Sequence, residues 1–221
     1  LLSMSHIRNY DLRWEWFPTS GGVLSVGGFY KEVEAPIERV NGEVDPNGEL
    51  NLGGNVLTFV NGPEATVWGL EFEGRQNLKV LDPLLEPFSL GVNFAWINSE
   101  VDNLAPLVDR KLQNGITEDV PSRPLYDQSP YIINVDFSYA NQRSGTTATV
   151  IFYYAAERLS LITEAYDVWE QGAPSLDLVI SQALGKGFKL KFSAENLLNP
   201  EIIESYAVKG RTDTTYQFSS Y

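Results

Sequence analysis

Tyr10-Asp11-Leu12-Arg13-Trp14-Glu15-Trp16 alternates side chains of opposite character. The even positions are aromatic or apolar, and the odd positions are Asp11, Arg13 and Glu15. A β-strand points successive side chains to opposite faces, so the stretch reads as one strand with a greasy side and a charged side. Three charges on one face fit a dry core only if all are paired. They fit a wet lumen without that condition.

The same period recurs down the chain. Trp68, Leu70 and Phe72 alternate with Gly69, Glu71 and Glu73. Phe88 to Trp96, Tyr131 to Tyr139, Leu176 to Ile180 and Phe188 to Ala194 repeat it, with Asn93, Asn134, Asp136, Asp177, Lys189 and Lys191 on the opposite side. Most of these runs are near the 9–11 or so tilted residues that cross a bilayer. A soluble sandwich shows the same alternation with its apolar side inward. Connection lengths favour a barrel. Pro18–Gly22, Asn141–Gly145 and Gly185–Gly187 are short turns. The links 33–55, 100–128, 156–174 and 197–214 are long, and 74–87 is intermediate, with its first part read as strand running to Asp82-Pro83. Short turns on one side and long loops on the other are the habit of outer-membrane barrels. Aromatic residues near strand ends, such as Tyr10, Trp14, Trp16, Phe17, Phe88, Trp96, Tyr131 and Tyr139, suit interfacial girdles.

Composition narrows the function classes. The 221 residues suffice for one domain. Cysteine is absent, which removes disulfides and thiolate metal sites. His6 is the one histidine and has no ligand spacing around it. A net charge of −13 argues against nucleic-acid binding. No apolar run approaches the roughly 18 residues of a membrane-spanning helix. The mean hydropathy of −0.18 is compatible with barrel strands, which average out their two faces. No signal peptide is evident, and the abrupt start at Leu1 suggests a fragment or processed piece. There is no phosphate loop, nucleophile elbow or metal motif. Glu71 and Glu73 could in principle form an acid–base pair, but a solvated lumen pair is the simpler reading. The acidic long links, with Glu32, Glu34, Glu38, Glu43, Asp45 and Glu49 in one and Asp102, Asp109, Glu118 and Asp119 in another, read as solvated loops or as a charge-selective vestibule.

Asn9-Tyr10-Asp11-Leu12-Arg13-Trp14-Glu15-Trp16-Phe17-Pro18, with Leu24–Lys31 and Pro36-Ile37-Glu38 after it, resembles a stretch in the barrels of TonB-dependent outer-membrane receptors. Ala65–Glu73 is similar to the family's next strand. Phe192-Ser193-Ala194-Glu195-Asn196-Leu197-Leu198-Asn199 resembles its Asn-Leu-x-Asn signature near the C-terminus. The resemblance implies an all-β, antiparallel, up-and-down transmembrane barrel of about 22 strands, plugged by a separate domain. Residues 1–221 would be its partial C-terminal section. Eight strands and the start of a ninth around 214–221 are expected, with the final strand truncated and the plug and TonB-contacting segment outside the chain. With two unpaired edges, the piece is expected to be an open curved sheet.

The resemblance further implies active uptake of a scarce nutrient (ferric siderophore, cobalamin or oligosaccharide) across the bacterial outer membrane. The implied partners are the TonB system acting through the plug, the lipid bilayer and a small ligand, with no cofactor and no nucleic acid. Lumen or plug-facing candidates are Asp11, Arg13, Glu15, Glu71, Glu73, Asn93, Asn134, Asp136, Lys189, Lys191 and Glu195. Lipid-facing candidates are Trp14, Trp16, Trp68, Phe94, Trp96, Phe137 and Phe192. Two alternatives stay open: a soluble all-β ligand- or glycan-binding module, with Trp14, Trp16, Leu90 and Phe94 in a dry core, and a passive outer-membrane channel.

Overall fold

The structure, a computed structural model, describes residues 2–44, 49–117, 120–208 and 211–217. Eight long strands form one open, curved antiparallel sheet. They are β1 (His6–Trp16), β2 (Val23–Glu34), β5 (Ala65–Asn77), β6 (Phe88–Asp102), β8 (Tyr131–Asn141), β9 (Thr146–Ala155), β12 (Pro174–Gly185) and β13 (Phe188–Ala194). Each pairs with its predecessor among these eight, so the sheet is a meander with β1 and β13 at its edges. A two-residue strand, β7 (Ser122–Arg123), joins the upper end of β6. No helix among the described residues is long and apolar enough to cross a membrane.

The connections sort by side. Residues 17–22, 78–87, 142–145 and 186–187 link strands at one end. Residues 35–64, 103–130 and 156–173 link them at the other, and these long connections are folded. The first holds a hairpin of β3 (Ile37–Val44) and β4 (Leu50–Asn61). The second holds helix α1 (Ala105–Gln113). The third holds β10 (Arg158–Leu161) and β11 (Val168–Glu170), which continue into β14 (Ile203–Val208) and β15 (Arg211–Gln217) as a separate four-stranded sheet.

Several expected boundaries move. The first long link runs to residue 64, because the segment around Asn55 belongs to β4. The strand expected to reach Asp82-Pro83 ends at Asn77. The Asn77 side chain accepts from the Lys79 amide and Asp82 accepts from the Leu84 amide, capping two short 3-10 turns, Leu78–Val80 and Pro83–Leu85. Helix α1 was not foreseen. Pro106 opens it, and Leu107 and Lys111, four residues apart, share its buried face. Residues 214–217, expected to begin a ninth wall strand, pair with β14 in the small sheet. Residues 218–221 lie outside the described residues.

Two buried clusters form the core: one where the long-loop ends of β2, β5 and β6 meet, with Val33, Ala65, Val67 and Val101, and one within the loops. Val40, Leu107, Leu159 and Ile162 are buried together, with Leu50, Leu52, Val60, Leu104, Tyr126 and Trp169 packed around them. These residues come from all three long connections, which form one outer body. In the sheet the large apolar side chains stay open: Trp14 is 60 % exposed, Trp16 51 %, Leu90 38 % and Phe94 37 %. A two-layer sandwich would have sealed these four.

Candidate functional site

The cross-strand register sorts the sheet into two faces. One rung reads Trp14, Val26, Phe72, Phe94, Ile133 and Tyr154 across six strands. The rung beside it reads Glu15, Ser25, Glu73, Asn93, Asn134 and Tyr153. Parity carries the sorting along each strand. Trp16, Trp68, Trp96, Phe137 and Phe192 fall on the face of Trp14. Asp11, Arg13, Glu71, Asp136, Lys189 and Lys191 fall on the face of Glu15. Glu195 lies just past the end of β13.

Small residues on the charged face let long side chains meet across an intervening strand. Arg13 on β1 reaches over β2 to Glu73 on β5, with Nη2 2.6 Å from Oε2. Its Nε donates to Glu15 at 2.7 Å. The β2 residue beneath this bridge is Ser25, which is buried. Arg75 on β5 faces Asp136 on β8 at 3.6 Å across Gly91 of β6. The Asp136 carboxylate occupies the space that a Cβ at Gly91 would need. Phe29 lies over Gly69 in the same way, with Lys31 Nζ 4.9 Å from the centre of its ring.

Glu71, Asn93 and Asn134 make no side-chain hydrogen bond among the described residues, and they line a hollow of about 330 Å³ beside the Arg13–Glu73 bridge. Their polar atoms are free to meet water or a second segment. Glu73 of the Glu71 and Glu73 pair is held by Arg13.

The outer body is tied by charges that the sequence left as solvated. Glu38 and Arg123 form a two-pronged ion pair at 2.7 and 2.8 Å, with side chains 1 % and 2 % exposed. Arg123 Nε also donates to Asn103 Oδ1 at 2.7 Å, and the Asn103 amide donates to the Val120 carbonyl. Glu38 is therefore a buried cross-link between the first and second loops. Its neighbours divide: Glu43 and Glu49 are exposed, Glu32 and Glu34 pair with Arg8, and Asp45 lies outside the described residues. In the second loop Asp102 and Asp109 are exposed, and Glu118 and Asp119 lie outside the described residues. A second tie joins the second and third loops. Lys111 on α1 holds Asp167 at 2.6 Å, and Asp167 accepts from the Thr163 amide. The Asn41 amide donates to the Ile162 carbonyl at 2.9 Å, bridging first and third loops. Partial desolvation raises the pKa of the Glu157 carboxyl, which stays at the surface, above its ordinary value.

Near the C-terminal signature, Asn196 and Asn199 take left-handed backbone, with φ of 53° and 41°. Asparagine tolerates that region better than most residues. The turn lets the Asn196 amide donate to Asp177 and the Leu197 amide to the Leu176 carbonyl, folding the end of β13 back onto β12.

The eight-strand meander, the sorted faces and the one-sided long loops have a counterpart in known proteins. The sequence model of the family described as TonB dependent receptor-like, beta-barrel matches residues 2–197. This chain belongs to that family. No curated protein matches. Among solved structures, the TonB-dependent receptor chain resembles the ferric citrate transporter FecA in its unliganded form, with a TM-score of 0.61 and 12 % identity over 89 % of this chain and 27 % of that one. It resembles the ferric yersiniabactin uptake receptor FyuA from Yersinia pestis with a TM-score of 0.60 and 14 % identity, over 90 % and 26 %. The copper transporter OprC gives 0.59 and 12 %, over 99 % and 30 %. At these identities the likeness is one of fold. The chain spans between a quarter and a third of the length of these proteins.

Proposed function

We propose that this TonB-dependent receptor chain forms the C-terminal wall, part of the lumen and several extracellular loops of a bacterial outer-membrane receptor for active nutrient uptake. The sorted register carries the reading. An apolar face with open tryptophans meets acyl chains, and a charged face with internal ion pairs meets a wet, plugged lumen. Glu71, Asn93 and Asn134, whose side chains have no hydrogen-bond partner among the described residues, would receive hydrogen bonds from the plug, and the plug would couple the barrel to the TonB system.

The long-loop side is acidic, while Lys79, Arg143 and Lys186 lie in the short connections together with Asp82 and Glu86, in a chain of net charge −13. An acidic vestibule favours a metal-bearing ligand of positive or neutral charge over a strongly anionic chelate. Ferric siderophores and free metal ions fall in the range set by the relatives.

Tryptophan quenching tests the orientation. In the intact receptor reconstituted with brominated phospholipid, single-tryptophan versions keeping Trp14, Trp68 or Trp96 should be strongly quenched. The version keeping Trp169, packed in the outer body, should not be. Equal quenching of all four would end the proposal.

A further inference from the structure

The β3–β4 hairpin has one face inside the outer body and one face outside it. Glu38, Val40, Thr58 and Val60 share the inner face, where Glu38 holds Arg123 and where Val40 and Val60 join the buried cluster. The opposite face sets Ile37 beside Asn61, Arg39 beside Phe59 and Asn41 beside Leu57. Its three large apolar side chains are open: Ile37 is 45 % exposed, Leu57 49 % and Phe59 53 %. Phe59 stands diagonal to Ile37 and two residues from Leu57, so the three make one contiguous patch of the kind that marks an interaction surface.

The chain that enters β1 passes this face. The Ser3 amide donates to Asn61 Oδ1 at 2.7 Å, and Asn61 Nδ2 donates to the Ser3 carbonyl at 3.1 Å and to the Ala35 carbonyl at 2.8 Å. The Ser5 hydroxyl donates to the same Ala35 carbonyl at 2.7 Å. Asn61 thus clasps the entering backbone through both its donor and its acceptor. Strand direction fixes what lies above the clasp. β1 runs from the long-loop end of the wall to the short-turn end, so the backbone before Ser3 descends from the long-loop side. β4 descends in the same sense, because it leads into β5, which starts at the long-loop end. Leu57 and Phe59 therefore stand above Asn61, level with backbone upstream of Leu2. Five extended residues cover about 17 Å, enough to run from Asn61 to beyond Leu57.

We infer that the open face of the β3–β4 hairpin is a docking surface for the connection that leads into β1 in the intact receptor, an apolar segment of the same polypeptide that descends over Leu57, Phe59 and Ile37. The inference rests on the reading of this chain as one section of a larger barrel. There the free edge of β1 is paired by the strand before it, which keeps the connection between those two strands on the hairpin's open side. A segment of the receptor itself is favoured over a second protein because its lower end is already clasped at Asn61, so it reaches the patch as an intramolecular partner.

Photocross-linking of the intact receptor in isolated outer membranes tests the inference. Phe59→benzoylphenylalanine and Leu57→benzoylphenylalanine are made separately, irradiated, and their adducts mapped by peptide mass spectrometry. Both adducts should fall in receptor sequence N-terminal to Leu2, and the adduct from position 57 should lie further upstream than that from position 59. In a second measurement, Phe59→Asp should speed hydrogen exchange in that upstream connection by about tenfold or more, as expected for losing the burial of a phenylalanine ring, with β6 unchanged. The inference is overturned by adducts to another protein, to lipid or at the mass of two receptors, by adducts in the reverse order, by no adduct from either position, or by unchanged exchange in Phe59→Asp. Should either cross-linking variant fail to fold, Ile37→benzoylphenylalanine replaces it with the same expected target. Any of these failures with Trp14 still quenched by brominated lipid removes the docking surface alone, whereas absent quenching removes the membrane reading itself.

Discussion

Single residues decide how the outer body holds. The Glu38–Arg123 pair is fully buried and served by Asn103 and by the Tyr126 amide. Removing one partner strands the other charge away from water, at a cost of about 3–5 kcal/mol. Arg123→Met should therefore loosen the body, read as faster hydrogen exchange across 37–61 and 103–126 with the wall strands unchanged. Glu157 titrates the other way from a paired carboxylate. Partial desolvation raises its pKa in the folded protein above the ordinary value of 4.5, so the folded state is slightly favoured while the group is protonated. That advantage is lost as pH rises through the raised value. Glu157→Gln should make the body slightly more stable than wild type at neutral pH, and the gap should close near pH 4; a pH series of melting curves reads it. At the short turns, the Lys79 ammonium donates to Glu86 and holds its carboxyl below the usual range, with Arg143 adding attraction.

At the scale of elements, the wall strands were legible because their period is two and their faces differ in chemistry. Tyr10–Trp16 needs only its own residues to declare a strand, and β5, β6, β8, β12 and β13 repeat the signal, whereas β9, with Val150-Ile151-Phe152-Tyr153-Tyr154 in a row, does not. The loop elements were harder to read for a physical reason. Glu38 and Arg123 sit 85 positions apart, and nothing local marks either as buried. Leu57-Thr58-Phe59-Val60 is apolar and lies just past the link read as ending near Asn55, and nothing local says that it pairs with β3 rather than opening the next wall strand. Helix α1 is short, and Pro106 reads equally as a loop residue until Leu107 and Lys111 are seen to share a face. Close strand approach supplies the element-scale prediction. A Cβ at Gly69 would strike the Trp96 carbonyl and sit 2.7 Å from the Phe29 ring. Gly69→Val should cost about 1–3 kcal/mol through overpacking, measured as a lower temperature for loss of the heat-resistant folded band.

For the whole molecule, the face sorting and the charge split act together. The barrel class followed from alternation and loop asymmetry. The charged-face candidates could be placed on a face but not ranked, because pairing across two strands depends on which middle residue is small, Ser25 under one bridge and Gly91 under the other. The acidic outer side sets a field that ligands meet before contact. Capture of a cationic metal complex by the intact receptor should slow as salt is raised, and capture of an anionic one should quicken. Stopped-flow association at a series of ionic strengths distinguishes the two signs, and salt-independent rates for both would remove the vestibule from the account.

The neighbour-on-neighbour order of the eight wall strands has a kinetic consequence. Each hairpin can zip onto the one before it with little chain to close, whereas the outer body must wait for segments distant in sequence to arrive. The ties between loops should therefore form after the rate-limiting step of assembly. Weakening Glu38 or Arg123 would then leave the speed of refolding nearly untouched and hasten only the undoing.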